Sequence, residues 1–502
     1  AFAQQGQVWD SPPGGSPLSR TGVDGVVTVL SPVRTGQLAS SCTGSAGKHH
    51  ERPGATVPEP GRTRGQYHID RSSEVAMATS HDTDIALFDI LDPAFRVDSP
   101  EVRAAADAHW WARTSVGIAV LRYRECLALL RDRRLRHGIS DLVAAYGITS
   151  GAFADWLCMT LTSAEGQAHQ RLRRLVSAAF TQRSVDVLRP FMWAKAHELI
   201  DGFAGNGSCE FMTAFAEPYP AWVIAELLGI PAERFDAFVG WATDIGLGIS
   251  PAAATERDRI DAAVTGLYAC CDELTAQRRA NPGEDLISAL IAAEDDGQRL
   301  TTDQLRVMVS SLVFAGQDTT RNQLGLAMTT FTHHPQQWRL LAKRPELAST
   351  AVEELMRVSP ATPVIARVAT EDFTFQDVDI PAGTHVALFI AAANTEPGTF
   401  GDAPFDITAQ RASHLTFGGG IHYCLGNWLA RTEMREALPI LASRLPDIEL
   451  NGPVASRPHI GITGPITLPL RFTARRDDHS ERLDPDIQNH STSIPTHQPL
   501  GS

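Results

Sequence analysis

With 502 residues, 43% of them hydrophobic, the chain can bury a large core, and its formal charge of −14 argues against a nucleic-acid binder. Seven cysteines, at 42, 126, 158, 209, 270, 271 and 424, are odd in number and form no Cys-x-x-Cys pair, which excludes a disulfide framework and points to a reducing, cytoplasmic setting. No window approaches the roughly 18–20 apolar residues of a membrane span and no signal pattern opens the chain, so no membrane anchor is expected.

In chain order, residues 1–76 are rich in Gly, Pro, Ser, Thr and Arg and lack periodicity from Ser11 to Arg64. They are expected to be a disordered or non-native N-terminal extension, with ordinary globular composition beginning at Met77. Detection of a native N-terminus well before Met77 by mass spectrometry would contradict the non-native reading. A strand is predicted at Val116–Leu121 and a helix at Tyr123–Arg131. Helices follow at Ala168–Ala179, Val185–Phe203, Ala221–Leu228, Thr255–Arg279, Thr302–Thr332 and Ala348–Arg357. Strands are predicted at Ile365–Val368, Phe373–Phe375 and Val386–Ile390, with a hairpin-like region around Ile460–Phe472. The polar, Pro-dotted tail 476–502 is expected to be disordered.

Three short constellations stand out. Inside the apolar helix 302–332 lies Ala315-Gly316-Gln317-Asp318-Thr319-Thr320; an acid and hydroxyls buried there are costly unless satisfied or functional. A Thr hydroxyl bonding one turn back loosens the helix and leaves a notch. Taken alone, this is a bent polar spot in a helix. Glu354 and Arg357, three apart on a helix face, can pair, which by itself is commonplace. The third is Phe417-Gly418-Gly419-Gly420-Ile421-His422-Tyr423-Cys424-Leu425-Gly426. A lone cysteine in a glycine loop is usually a small buried hydrophobe. Here a helix from Leu425 follows at once, and its N-terminal dipole and free N–H groups favour a thiolate able to hold a metal.

The ten-residue string resembles the haem-binding loop of the cytochrome P450 family, Phe-Gly-x-Gly-x-His-x-Cys-x-Gly, position for position. Asp318-Thr319 is similar to that family's oxygen-activation motif and Glu354/Arg357 to its Glu-x-x-Arg motif, in the same chain order. The resemblance implies a mainly α fold with small β-sheets: one cytochrome P450 domain over 77–475, with haem between the long distal helix and the helix after the cysteine loop. It implies haem b (iron protoporphyrin IX) as cofactor, with Cys424 as the iron ligand. Phe417, Gly418, His422 and Gly426 lie around that ligand, and Ala315 and Gly316 on the opposite haem face. His169, Arg173 and Arg367, with His422, match the family's partners of the haem propionates. The implied roles are proton delivery for Asp318, hydrogen bonding to the oxygen being activated for Thr319, and a structural lock for Glu354/Arg357.

Two departures from the family pattern are visible. Pro404 stands where many bacterial members have the Arg that joins the lock, which makes Arg411 the candidate replacement, and Thr395 stands where Arg is common. The implied activity is a haem-thiolate monooxygenase inserting one oxygen atom from O2 into a hydrophobic small organic molecule. With no flavin or iron–sulfur segment in the chain, a ferredoxin and its NAD(P)H-dependent reductase are the implied electron donors. Arg131, Arg133, Arg134, Arg136, Arg171, Arg174, Arg431 and Arg435 form a possible docking patch for an acidic ferredoxin, or simply solvated helix faces. Pocket walls are expected from 137–162, 214–249, 313–315, 361–365 and 462–467. Two rivals are a non-catalytic haem-thiolate sensor and a peroxide-driven oxygenase; the Asp318-Thr319 pair disfavours both.

Overall fold

The computed structural model describes residues 85–475, apart from 296–297, 402–404 and the side chains of 251, 294, 295 and 298. The expected extension 1–76, the tail 476–502 and Pro404 lie outside the described residues. Helices carry the core. The long helix Thr302–His333 begins where predicted because Thr301 caps it: the Thr301 hydroxyl accepts from the Gln304 N–H, and the Gln304 side chain accepts in return from the Thr301 N–H, both at 3.2 Å. It packs against the helices Pro218–Leu228, Phe235–Leu247 and Arg257–Ala280, and against Ala348–Val358 and Asn427–Arg444. No helix among the described residues is long and apolar enough to cross a membrane.

Sheets are small. The largest orders six strands as Leu87–Phe88, Trp111–Thr114, Gly117–Val120, His385–Phe389, Val364–Ala369 and Leu135–His137. Its centre pairs Val364–Ala369 antiparallel to His385–Phe389, with Arg367 opposite Val386 and also opposite His137 on the next strand.

In two places the structure breaks up a predicted element. The predicted helix Val185–Phe203 is two, Gln182–Asp186 and Arg189–Ala204, because Pro190 lacks the N–H that a continuous helix needs and instead sits in the first turn of the second. The predicted hairpin Ile460–Phe472 is also not one unit. Pro465–Thr467 pairs with Ala455–Ser456, whereas Pro469–Phe472 lies between Ile448–Leu450 and Ser208–Glu210.

A buried polar lock fixes the chain ahead of the cysteine. Glu354 and Arg357, 2% and 3% exposed, form two hydrogen bonds of 2.7 Å, and Arg357 also donates to the Asn394 carbonyl at 2.9 Å. Asn394 passes this order on: its side chain accepts from the Leu415 N–H at 2.7 Å and donates to Thr416 Oγ1 at 3.0 Å, just before Phe417. Arg411 lies 3.5 Å from Glu354 and donates to the Phe400 carbonyl, so it occupies the third place of the lock.

Candidate active site

Gly418 and Gly420 take φ of 71° and 66°, a left-handed conformation that few other residues adopt. At Gly420 an added Cβ would lie 2.7 Å from the Leu130 carbonyl oxygen, so the cysteine loop closes directly on the end of the helix Tyr123–Leu130. Gly426, with φ −80°, caps the helix Asn427–Arg444, which begins two residues later than predicted and runs through Pro439. The Phe417 ring is covered by the Arg431 guanidinium at 4.2 Å.

Cys424 is half-buried, and its own N–H donates to the Phe417 carbonyl at 2.9 Å. The expected lowering of its pKa does not occur in the protein alone. Burial pushes the thiol up, opposed by the Gly426 N–H and by the Arg173 and Arg431 charges. A metal held by the sulfur would deprotonate it outright.

Beside the loop the structure gathers every predicted anionic-group partner. The His169 and His422 rings lie 4.8 Å apart, and Arg173 is close enough to Cys424 to be felt by it. His169 is 2% exposed with neither ring nitrogen hydrogen-bonded; burial and the His422 charge lower it to about 4, so the ring is neutral at pH 7. Arg367, also 2% exposed, donates to the Ala366 carbonyl and has no ion pair among the described residues; burial lowers it to about 10. A buried cation without an ion pair and a buried imidazole without a hydrogen bond are expensive. They fit a group carrying two carboxylates, as a haem does.

His422 itself is held by Glu165, whose carboxylate accepts from Nε2 at 2.9 Å and from the His137 N–H at 3.0 Å. Neither Glu165 nor His137 was singled out in the sequence, because their partners are distant and no local pattern marks them.

On the long helix, Ala315 is exposed in the middle of an otherwise buried stretch, which marks open space against it. The Thr319 hydroxyl donates to the Ala315 carbonyl at 2.7 Å, the predicted one-turn-back bond. The missing side chain of Gly316 faces elsewhere: an added Cβ would lie 2.9 Å from Ile224 Cδ1, so this glycine admits the helix Pro218–Leu228. Asp318 is not a free acid. Arg457 donates to both its oxygens, at 2.8 and 3.0 Å, and Asn322 Nδ2 adds a bond at 3.1 Å.

The predicted basic cluster is largely engaged. Arg134 pairs with Asp132, Arg136 with Asp141, and Arg431 and Arg435 with Glu353. Arg171 bonds Gln304 and the Arg299 carbonyl, while Arg131 and Arg133 are exposed.

Residues 258–444 match the family described as Cytochrome P450. Luteothin monooxygenase from Streptomyces thioluteus is 41% identical over 397 residues, covering 78% of this chain and 97% of that protein. Mycinamicin IV hydroxylase/epoxidase from Micromonospora griseorubida is 38% identical over 317 residues, 62% of this chain and 79% of that one. Among solved structures, the bacillaene polyketide synthase cytochrome P450 PksS of Bacillus subtilis 168 superposes with TM-score 0.68 and 30% identity, covering 76% of this chain and 100% of that chain.

Proposed function

The chain belongs to the cytochrome P450 family, and on that premise we propose that residues 77–475 form its domain, with Cys424 the residue whose thiolate would hold the iron of a haem b. The enzyme is a haem-thiolate monooxygenase: it takes O2, electrons from a redox partner and a hydrophobic organic substrate. The bound haem supplies O2 binding and reduction, to which a thiolate ligand contributes electron density. The observation that carries the assignment is the cluster beside the Cys424 loop of His169, with neither ring nitrogen hydrogen-bonded, and of Arg173 and Arg367, with no ion pair among the described residues.

In this reading His169, Arg173 and Arg367 anchor the haem carboxylates, and His422 joins them by exchanging its bond to Glu165. Phe417, Gly418 and Gly426 shape the thiolate side, while Ala315 leaves room on the other, and Gly316 contributes by seating the helix Pro218–Leu228 against the long helix. Thr319 positions a hydrogen-bonding hydroxyl over the site by way of the Ala315 carbonyl, and Asp318 moves protons inward from solvent. The substrate is proposed to be a bulky, hydrophobic secondary metabolite, the class to which the names of the relatives point. Electrons are proposed to come from a ferredoxin and its NAD(P)H-dependent reductase.

The test pairs cofactor retention with ligand spectra. Arg173→Ala and Arg367→Ala should each weaken haem retention by about tenfold or more, since each removes a charge-assisted contact of about 1.5–3 kcal/mol. A screen of hydrophobic metabolites should yield compounds that shift the haem spectrum from low to high spin. Unchanged haem retention in both variants would refute the anchoring roles.

A further inference from the structure

We propose that Arg457 is a positioning residue that latches Asp318 out of service, and that displacement of the turn 457–464 by an occupant of the pocket releases the acid. This rests on the reading of Asp318 as the proton-delivering group. A carboxylate that relays protons must take one from solvent and turn it inward, so at least one oxygen must be free to exchange partners. In this structure neither oxygen is free. Arg457 binds both in a bidentate pair, and Asn322 adds a bond to Oδ1 while also donating to the Asp318 carbonyl at 2.7 Å. Charge-assisted bidentate pairs of this kind are the strongest polar contacts a side chain makes.

The latch comes from a part of the chain built to feel the pocket. The Arg457 side chain is 28% exposed and the Asp318 side chain 7%, so the guanidinium stands between the acid and solvent. The turn is closed by Arg457 N–H donating to the Gly464 carbonyl at 2.9 Å and by the Thr463 hydroxyl donating to the Arg457 carbonyl at 3.2 Å. Thr463 N–H donates to the Ala361 carbonyl at 2.8 Å, and at Gly461 an added Cβ would lie 3.3 Å from the Ile249 carbonyl oxygen. Ala361 and Ile249 both belong to segments expected to line the pocket. At Gly464, φ 157°, a Cβ would lie 2.6 Å from Asn322 Oδ1, so the turn rests against the residue that helps hold Asp318. An occupant pressing on the turn thus acts on both partners of the acid at once.

The consequence is readable without knowing the substrate. Substrate-free holoenzyme, supplied with NADPH through a plant ferredoxin and its reductase, reduces O2 either to peroxide (two electrons and two protons, one NADPH) or to water (four electrons and four protons, two NADPH). Arg457→Met frees Asp318 and should speed O2 consumption on the order of tenfold, the low end for a positioned proton donor, with the NADPH:O2 ratio moving toward two. Arg457→Lys, whose point charge cannot hold both oxygens, should fall between wild type and Arg457→Met in rate and ratio, and Arg457→Met/Asp318→Asn should lose the gain. If Arg457→Met only lowers thermal stability and leaves rate and ratio unchanged while Asp318→Asn is impaired, the latch is wrong but the acid's role stands. If Asp318→Asn is also without effect, the reading of Asp318 fails. Should Arg457→Met not retain haem, hydrogen exchange of the wild-type protein filled with 4-phenylimidazole decides: faster exchange of the Arg457 and Thr463 amides supports the latch, and unchanged exchange overturns it.

Discussion

Glu433 lies wholly buried on the helix Asn427–Arg444, with neither carboxylate oxygen in hydrogen-bonding geometry with a protein group. Burial pushes it well above the usual carboxylate range, so the folded protein keeps its proton while the unfolded chain releases it. Its contribution to stability therefore falls as pH rises above the unfolded value of about 4.5. Glu433→Gln, a neutral isostere, should raise the melting temperature near pH 8 by a few degrees and leave it unchanged near pH 4. An equal effect at both pH values would contradict this. Glu353 has the opposite sign. Burial raises it, but hydrogen bonds from His414 and Arg431 outweigh that and bring it to about 2. Its stabilisation is complete above about pH 4.5 and is lost as pH falls toward 2. Glu353→Gln should accordingly lower the melting temperature at neutral pH and narrow the gap with wild type on acidification.

Among the elements, the helix Ala348–Val358 shows why a weak sequence signal became a strong structural one. An i,i+3 Glu–Arg pair is worth little on a surface; Glu354 and Arg357 are buried, so removing one strands the other. Glu354→Ala should cost about 3–5 kcal/mol, checked by denaturant unfolding, and Arg411→Ala less, since Arg411 is the more distant partner at 3.5 Å. The long helix was legible because its capping box, apolar run and Asp318-Thr319 motif are all local. The cysteine loop was legible for the same reason. What escaped was whatever depends on distant partners. Phe235–Leu247 escaped too, because glycines at 240 and 246 interrupt its pattern of buried Phe238, Ala242 and Ile245. The strands Pro465–Thr467 and Pro469–Phe472 alternate as a hairpin would, yet each found another neighbour. Nothing near Asp318 announces an arginine 139 residues further along the chain, or near His422 a glutamate 257 residues back.

For the whole molecule, a chain with charge −14 must still receive electrons from another protein. Arg131 and Arg133 are exposed where the helix Tyr123–Leu130 ends against Gly420, which puts positive charge beside the cysteine loop. Reversing both charges should slow reduction by ferredoxin about tenfold at low ionic strength and flatten its salt dependence; an unchanged rate and slope would refute docking there. The chemistry proposed for this enzyme depends on sulfur ligation by Cys424. The carbon-monoxide difference spectrum of the reduced, haem-loaded protein tests it most directly. The expected result is the long-wavelength absorption band that marks thiolate ligation, lost in Cys424→His. A folded, haem-loaded wild-type protein whose band sits instead at the shorter-wavelength position of nitrogen ligation would contradict it.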